Sequence, residues 1–281
     1  QDLLILPRAL MRGGMFRELT SAQNPRIKSI LHLRDKKERD VTGLFLVEGY
    51  REIRRAVDSG VEFESLYICP ELFLGSNEES LIQDAKAPVF QLPDFLFQKI
   101  SYRDRPDGLI GVAKQMKTDL KDLKIKSPSL YVIAEAIEKP GNLGTILRSS
   151  DAVGADGVII CDRCTDIYNP NVVRASVGTL FTIPVIEASG DDTLAWLKTN
   201  QIQIVAATPA AELNFTDAPL SGNVAIVVGT EQFGLSQKWL DAAEIQVKIP
   251  MNGVADSLNV AMATTLLLYE AFRQRQYTPV R

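Results

Sequence analysis

In the C-terminal half of the chain, apolar positions fall in short unbroken runs: LYVIAEA (130–136), GVII (157–160), IQIVAA (202–207) and VAIVVG (224–229). Runs this short, β-branched and without polar alternation are strands buried on both faces, which predicts a parallel sheet covered by helices. Around them the spacing turns helical. A helix is predicted from about Asn142, its N-cap, to Val153, with Gly154 as its stop; a longer one covers 256–275, apolar early and basic late through Arg273 and Arg275. The N-terminal half is patterned less evenly. Residues 21–39 read as one basic helix with a partial stripe of Ile27, Ile30, Leu31 and Leu33. Strands are predicted over 45–49, 65–69, 89–92 and 108–116, and helices over 50–59, 78–86 and 93–100, the last with Pro93 at or near its first position. Such alternation makes a small α/β domain. Residues 117–128, KTDLKDLKIKSP, are polar and Lys-rich with little to bury. The expected organisation is therefore a domain over 15–117, a linker over 118–128 and a second α/β domain over 129–281.

Length, at 281 residues, agrees with two domains. The net charge of −4 gives no hint of nucleic acid, but its distribution does. Residues 1–118 carry 18 Lys and Arg against 17 Asp and Glu, and the remainder 13 against 18. Within the first part, NPRIKSILHLRDKKER (24–39) holds six bases and two acids. Local basicity of this kind is the footprint of a phosphate-binding surface, or else a solvated helix face. The three cysteines, Cys69, Cys161 and Cys164, do not make a disulfide framework and favour a reducing compartment. Cys161 and Cys164 have CxxC spacing, but there is no second such pair, and the lone His32 is distant; we expect core or loop cysteines and no metal. No apolar run reaches the roughly 20 residues that span a bilayer. The opening QDLLILPRALMRGG lacks an initiator Met and a signal-peptide cleavage pattern, so the expected compartment is the cytoplasm, with no membrane partner.

Three segments lie at predicted strand ends and helix starts, where open α/β sheets bind their ligands. In KPGNLGTILRSSDAVGADG (139–157), a Gly-bearing turn opens a helix, and Arg148 follows Asn142 by six residues. Taken alone it reads as a capped amphipathic helix, with Arg148 exposed or paired to Asp151. In VVGTEQFGLS (227–236), a buried strand ends at Gly229, and Glu231 and Gly234 follow in a tight loop. Neither a dinucleotide fingerprint nor a P-loop fits, for want of the right glycine spacing and of a GK[ST] ending. In IPMNGVADSLNVAMATTLLLYEAF (249–272), an Asn-Gly turn leads to Ser257, Leu258 and Asn259 at the start of a helix, with Asp256 or Ser257 as candidate N-cap.

Together and in this order, NLGTILR, VGTEQFGLS and IPMNGVADSLNVA resemble the three motifs of the TrmH (SpoU) branch of the SPOUT methyltransferases, a likeness over roughly residues 130–275. LTSAQNPRIKSILHLRDKK and GLFLVEGYREI also resemble the ribosomal-protein-like substrate-binding domain joined to many members. The resemblance implies a parallel-sheet SPOUT domain with a deep trefoil knot and a small N-terminal α/β RNA-binding domain. It implies a homodimer whose site is completed by the partner chain. The implied cofactor is S-adenosyl-L-methionine, held largely by backbone groups at Gly229, Ile249 and Leu258, with Thr208 and Gly234 as neighbours. The implied reaction is methyl transfer to a ribose 2′-hydroxyl of RNA, ribosomal RNA first and transfer RNA second.

Arg148 is, by resemblance, the residue that activates the hydroxyl. Arginine is a poor base, so either its charge stabilises the developing alkoxide or an unusual site lets it take the proton. Asn142 and Asn259 are assigned to positioning Arg148 or the ribose, Glu231 to pairing an arginine or ordering the cofactor loop, and Ser257 to either task. Arg26, Lys28, Arg34 and Lys37 are the expected RNA contacts. The competing readings are an RNA-binding protein with a degenerate methyltransferase domain, and a nucleotide-dependent oxidoreductase, against which the missing fingerprint argues.

Overall fold

The computed structural model describes residues 16–162, 165–230 and 232–275. Glu231, Cys164 and the opening stretch, each the subject of an expectation, lie outside the described residues. The chain divides into two compact units, one running to Met116 and including Tyr168–Pro170, the other holding the rest from Lys117 onward.

The first unit contains β1 (Phe16–Glu18), α1 (Pro25–His32), α2 (Lys36–Thr42), β2 (Leu44–Glu48), α3 (Tyr50–Asp58), β3 (Phe63–Ile68), α4 (Glu78–Asp84), β4 (Val89–Gln91), α5 (Asp94–Ile100) and β5 (Leu109–Lys114). The strands form one mixed sheet in the order β1-β4-β3-β5-β2, with β4 parallel to its two neighbours and β5 antiparallel to its own. Ile27, Ile30, Leu96 and Phe97 from α1 and α5 pack with Tyr67 and Phe90 of the sheet. The single basic helix expected over 21–39 is two helices. Leu33 ends α1, and Asp35 caps α2 by accepting from the Lys37 N–H at 3.0 Å. The corner is held by Arg39, 1% exposed, whose Nη1 donates to the carbonyls of Leu33 and Arg34 at 2.8 Å each. A capping acid and a buried guanidinium outweigh the continuous periodicity here. Pro93 is the N-cap of α5, directly before its first residue, as the sequence leads one to expect.

The second unit contains β6 (Leu130–Glu135), α6 (Pro140–Ala152), β7 (Gly157–Cys161), all but the first residue of α7 (Pro170–Ala175), β8 (Val185–Ala188), α8 (Gly190–Thr199), β9 (Gln203–Ala207), β10 (Leu213–Asn214), β11 (Val224–Val228), α9 (Gln237–Ala242), β12 (Ile245–Lys248) and α10 (Val260–Gln274). Its sheet runs β10-β12-β9-β11-β6-β7-β8 with every pairing parallel. Every residue of β6, β7 and β11 is buried, as their unbroken apolar runs require. The strands that sequence pattern did not mark, β8, β10 and β12, each bury at most one residue fully. A strand that is only partly covered leaves no apolar run. Leu267, Leu268 and Ala271 of α10 are completely buried, and each such leucine contributes about 1.5–3 kcal/mol.

Two helix starts differ from expectation. The first helix begins at Pro140 with Lys139 as N-cap, so Asn142 lies inside its first turn. Proline's fixed φ suits the first helical position and starts the helix early. The last begins at Val260 with Asn259, not Asp256 or Ser257, as N-cap. The stretch 117–128 is also less free than its polarity suggests, since Leu120 and Leu123 pack against the second unit's core around Tyr131, Leu197 and Trp239. Cys161 is buried in that core. Among the described residues no helix is long and apolar enough to cross a membrane.

Candidate active site

Three adjacent strands, β12, β9 and β11, end at the same edge of the parallel sheet. Val247 pairs with Ala207 and Ala206 with Val227, so Thr208, Gly229 and Ile249 follow together at the carboxyl ends. Thr208 N–H donates to the Val247 carbonyl at 2.9 Å. Crevices at this edge are where such sheets bind ligands. The loop after β11 is closed on itself: Thr230 N–H donates to Gly234 O at 3.1 Å and Gly234 N–H to Thr230 O at 2.9 Å. Gly234 turns the chain with φ +66°, and a Cβ on Gly229 would lie 2.4 Å from the Gly234 carbonyl oxygen. Only glycine fits at 229. Leu258, half-buried, stands just before the cap of α10.

The first and third motifs meet directly. Asn259 Nδ2 donates to Asn142 Oδ1 at 3.1 Å, while Asn259 Oδ1 accepts from the N–H groups of Ala261 and Met262 at 2.9 and 3.3 Å. One amide therefore caps α10 and ties it to α6. Ser149 and Thr265 join the same two helices through their hydroxyls at 2.6 Å. Gly144 lets α6 approach its neighbour, since a Cβ there would be 2.4 Å from that of Ala175. Beside the asparagine pair lies a cavity of about 170 Å³ lined by Ala136, Lys139, Asn142, Thr230, Phe233 and Val260. Arg148 is not brought to it: the side chain lies on the exposed face of α6 with Gly141 and Thr145, and makes no hydrogen bond or ion pair among the described residues. Asp151 accepts from Thr182 Oγ1 instead of pairing with it. Ser257 is exposed.

Sequence reasoning missed Glu135. It ends β6, is 6% exposed, and accepts from the Ser236 N–H at 2.8 Å and the Ser236 hydroxyl at 2.6 Å. It thereby pins the far end of the Gly229–Ser236 loop to the sheet. The available signal was a carboxylate closing an otherwise apolar strand.

In the first unit, part of the basic run is engaged within the fold. Arg39 is buried, Lys36 pairs with Asp40 at 2.7 Å, and Arg34 donates to the carbonyls of Ile100 and Ser101 at 3.0 and 2.8 Å. Arg34 thus closes the C-terminus of α5. Arg26, Lys28 and Lys37 stay exposed, the last two without an ion pair among the described residues. The VEGYREI stretch binds the loop after α5. Glu48 accepts from Ser101 Oγ and from Tyr102 N–H at 3.0 Å, Tyr50 N–H donates to Asp107 at 2.7 Å, and Glu52 pairs with Arg103 at 2.8 Å. Burial pushes the Glu48 carboxyl above its usual range, against those hydrogen bonds and the charge of Arg103.

Residues 129–269 match the SpoU rRNA Methylase family, and residues 24–111 match an MRM3-like substrate binding domain. The chain is 31% identical to the 23S rRNA (uridine(2479)-2′-O)-methyltransferase of Streptomyces viridochromogenes, covering 88% of each. It is 27% identical to the 23S rRNA (guanosine(2553)-2′-O)-methyltransferase RlmP of Bacillus subtilis, covering 90% of this chain and 98% of that one. The crystal structure of an AdoMet-bound rRNA methyltransferase from Sinorhizobium meliloti superposes with a TM-score of 0.85 at 33% identity, covering 92% of this chain and 98% of the other. A parallel α/β domain with three motif loops at its strand ends, preceded by a substrate-binding domain, defines the class as a two-domain RNA methyltransferase. The chain belongs to the SpoU rRNA methylase family.

Proposed function

We propose that this chain transfers the methyl group of S-adenosylmethionine to a ribose 2′-hydroxyl in ribosomal RNA. The observation that carries this is the Asn142–Asn259 pair beside a sugar-sized cavity, next to the glycine loop at the strand ends. The relatives named above act on a uridine and a guanosine, so what they share is the sugar and not the base.

Thr208, Gly229, Gly234, Ile249 and Leu258 are assigned to the cofactor. The fit rests on backbone: a side chain at Gly229 would fill the turn, and three adjacent strand ends open there. When bound, S-adenosylmethionine supplies an electrophilic sulfonium methyl. The chain's own residues hold and prepare the acceptor. Asn142 and Asn259 fix the ribose, and Ser257 and Glu231 are assigned to ordering the loops around it. Arg148 stabilises the alkoxide as it forms, since a positive charge aimed at developing negative charge lowers the barrier without itself losing a proton, and the hydroxyl's proton leaves to solvent water. Arg26, Lys28 and Lys37 are assigned to the RNA, with Arg34 holding their helix corner.

Arg148 faces away from its own asparagine pair, which supports a homodimer in which each arginine serves the partner's site. Met262, Leu266 and Tyr269 form an exposed apolar stripe on α10, beside the Arg148 face of α6 across the Ser149–Thr265 contact. Apolar stripes of this kind mark interfaces. The trefoil threading of the family belongs to the same reading.

The test is labelled-methyl transfer to unmodified ribosomal and transfer RNA transcripts, with the product digested to nucleosides. The expected product is 2′-O-methyl nucleoside from ribosomal RNA. Arg148→Ala should reduce turnover by about a hundredfold or more while cofactor affinity holds. A base-methylated product, or substantial turnover by the variant, would defeat the role given to Arg148.

A further inference from the structure

The first unit holds a second cavity, of about 460 Å³, between α1, α2 and the sheet. Its floor includes Ser65 and Tyr67 of β3 and Val112 of β5, and its rim carries Arg26 and Glu38. Two observations call for a ligand there.

The first is a pair of under-used hydroxyls. Ser65 and Tyr67 are 1% and 2% exposed, yet among the described residues their hydroxyls share one long bond, from Ser65 Oγ to Tyr67 OH at 3.4 Å. Each hydroxyl has one donor and two acceptor positions, and buried hydroxyls are normally satisfied. The Tyr67 proton and several lone pairs therefore remain for an occupant of the cavity.

The second is a flat cation mounted on an aromatic stack. The Arg26 guanidinium lies 4.5 Å from the centroid of the Phe90 ring, and Phe90 is stacked on Tyr67 at 5.3 Å with 20° between the planes. Phe90 is buried and Arg26 is exposed, so the guanidinium is seated over the ring while part of it stays open to a ligand. Single-stranded RNA is recognised on surfaces of this kind: unstacked bases lie on aromatic or guanidinium planes while polar groups meet their edges. A phosphate suits the site less well, because Glu38 and Glu64 line it and its floor is uncharged.

We infer that this cavity receives a nucleobase splayed out of the RNA substrate, stacked on Arg26 with its edge bonded by Tyr67 and Ser65. The inference rests on the reading of the chain as an RNA methyltransferase. It gives the substrate-binding domain a base-reading role distinct from the phosphate contacts of Lys28 and Lys37.

The experiment is filter binding of an unmodified 23S rRNA transcript over a salt series, for wild type, Arg26→Lys and Tyr67→Phe. Lysine keeps the charge and loses the plane. Arg26→Lys should weaken binding about tenfold, the scale of one lost base stack, with the salt slope unchanged. Tyr67→Phe should weaken it about threefold to tenfold, the scale of one hydrogen bond. Thermal melting of both variants close to wild type reports intact folding of the first unit. Should Tyr67→Phe prove unstable, Ser65→Ala removes the other hydroxyl and carries the same expectation. Wild-type affinity in Arg26→Lys overturns the inference, since Arg26 then acts as a phosphate cation alone. A wild-type protein that neither binds nor methylates any RNA instead overturns the functional reading, and the inference with it.

Discussion

Asn259 uses the two ends of one amide for two purposes, and substitution can separate them. Its oxygen caps α10, and its nitrogen reaches Asn142. Alanine removes both and should cost about 1 kcal/mol of stability through the lost cap. Serine caps nearly as well but is too short to reach Asn142. Asn259→Ser should therefore melt close to wild type in calorimetry and still lose about tenfold to a hundredfold in methyl transfer, the scale of a misplaced reacting group. Full activity in Asn259→Ser would reduce the residue to a cap. The motif asparagines could be picked out in the sequence as a pair. Their direct contact could not, because 117 residues separate them and only the packing of α6 on α10 closes that gap.

At the scale of elements, legibility followed burial. The strands buried on both faces, β6, β7, β9 and β11, stood out as apolar runs, while the partly covered β8, β10 and β12 left no such mark. The basic stretch reads as one helix because periodicity does not reveal that Arg39 turns inward at a corner. Nor does spacing reveal that Glu48 is buried beneath the Ser101–Asp107 loop. That burial has a measurable consequence. The folded-state pKa of Glu48 is raised above its unfolded value. Its contribution to stability is thus fully present below the unfolded pKa and is lost as pH rises through the folded one. Glu48→Gln carries a neutral amide throughout. The melting temperature of wild type relative to Glu48→Gln should fall as pH is raised from about 4 to 7. A difference that stays flat across that range in calorimetry would show that the hydrogen bonds from Ser101 and Tyr102 cancel the burial effect.

At the scale of the whole molecule, Arg148 stands apart from the motif residues that its own chain brings together, and this is where sequence had least to offer. The NLGTILR motif puts Asn142 half-buried against Asn259, and six residues later puts Arg148 on a different, exposed face of the same helix. Six residues turn a helix through about 600°, so the two cannot share a face. If Arg148 completes the partner's site, two inactive variants must rescue one another. Gly229→Ala should abolish cofactor binding, because its Cβ would collide with the Gly234 carbonyl; Arg148→Ala keeps the cofactor and loses the activating charge. Coexpressed at equal levels, the two would form mixed dimers in half of the population. In each mixed dimer one site combines an intact cofactor loop with an intact arginine from the other chain. Activity should then recover to about a quarter of wild type, whereas arginines acting within their own chain would leave the mixture dead. The exposed stripe makes the control: with Leu266→Glu also present in both chains, the like charges at the interface should leave monomers by light scattering and remove the rescue.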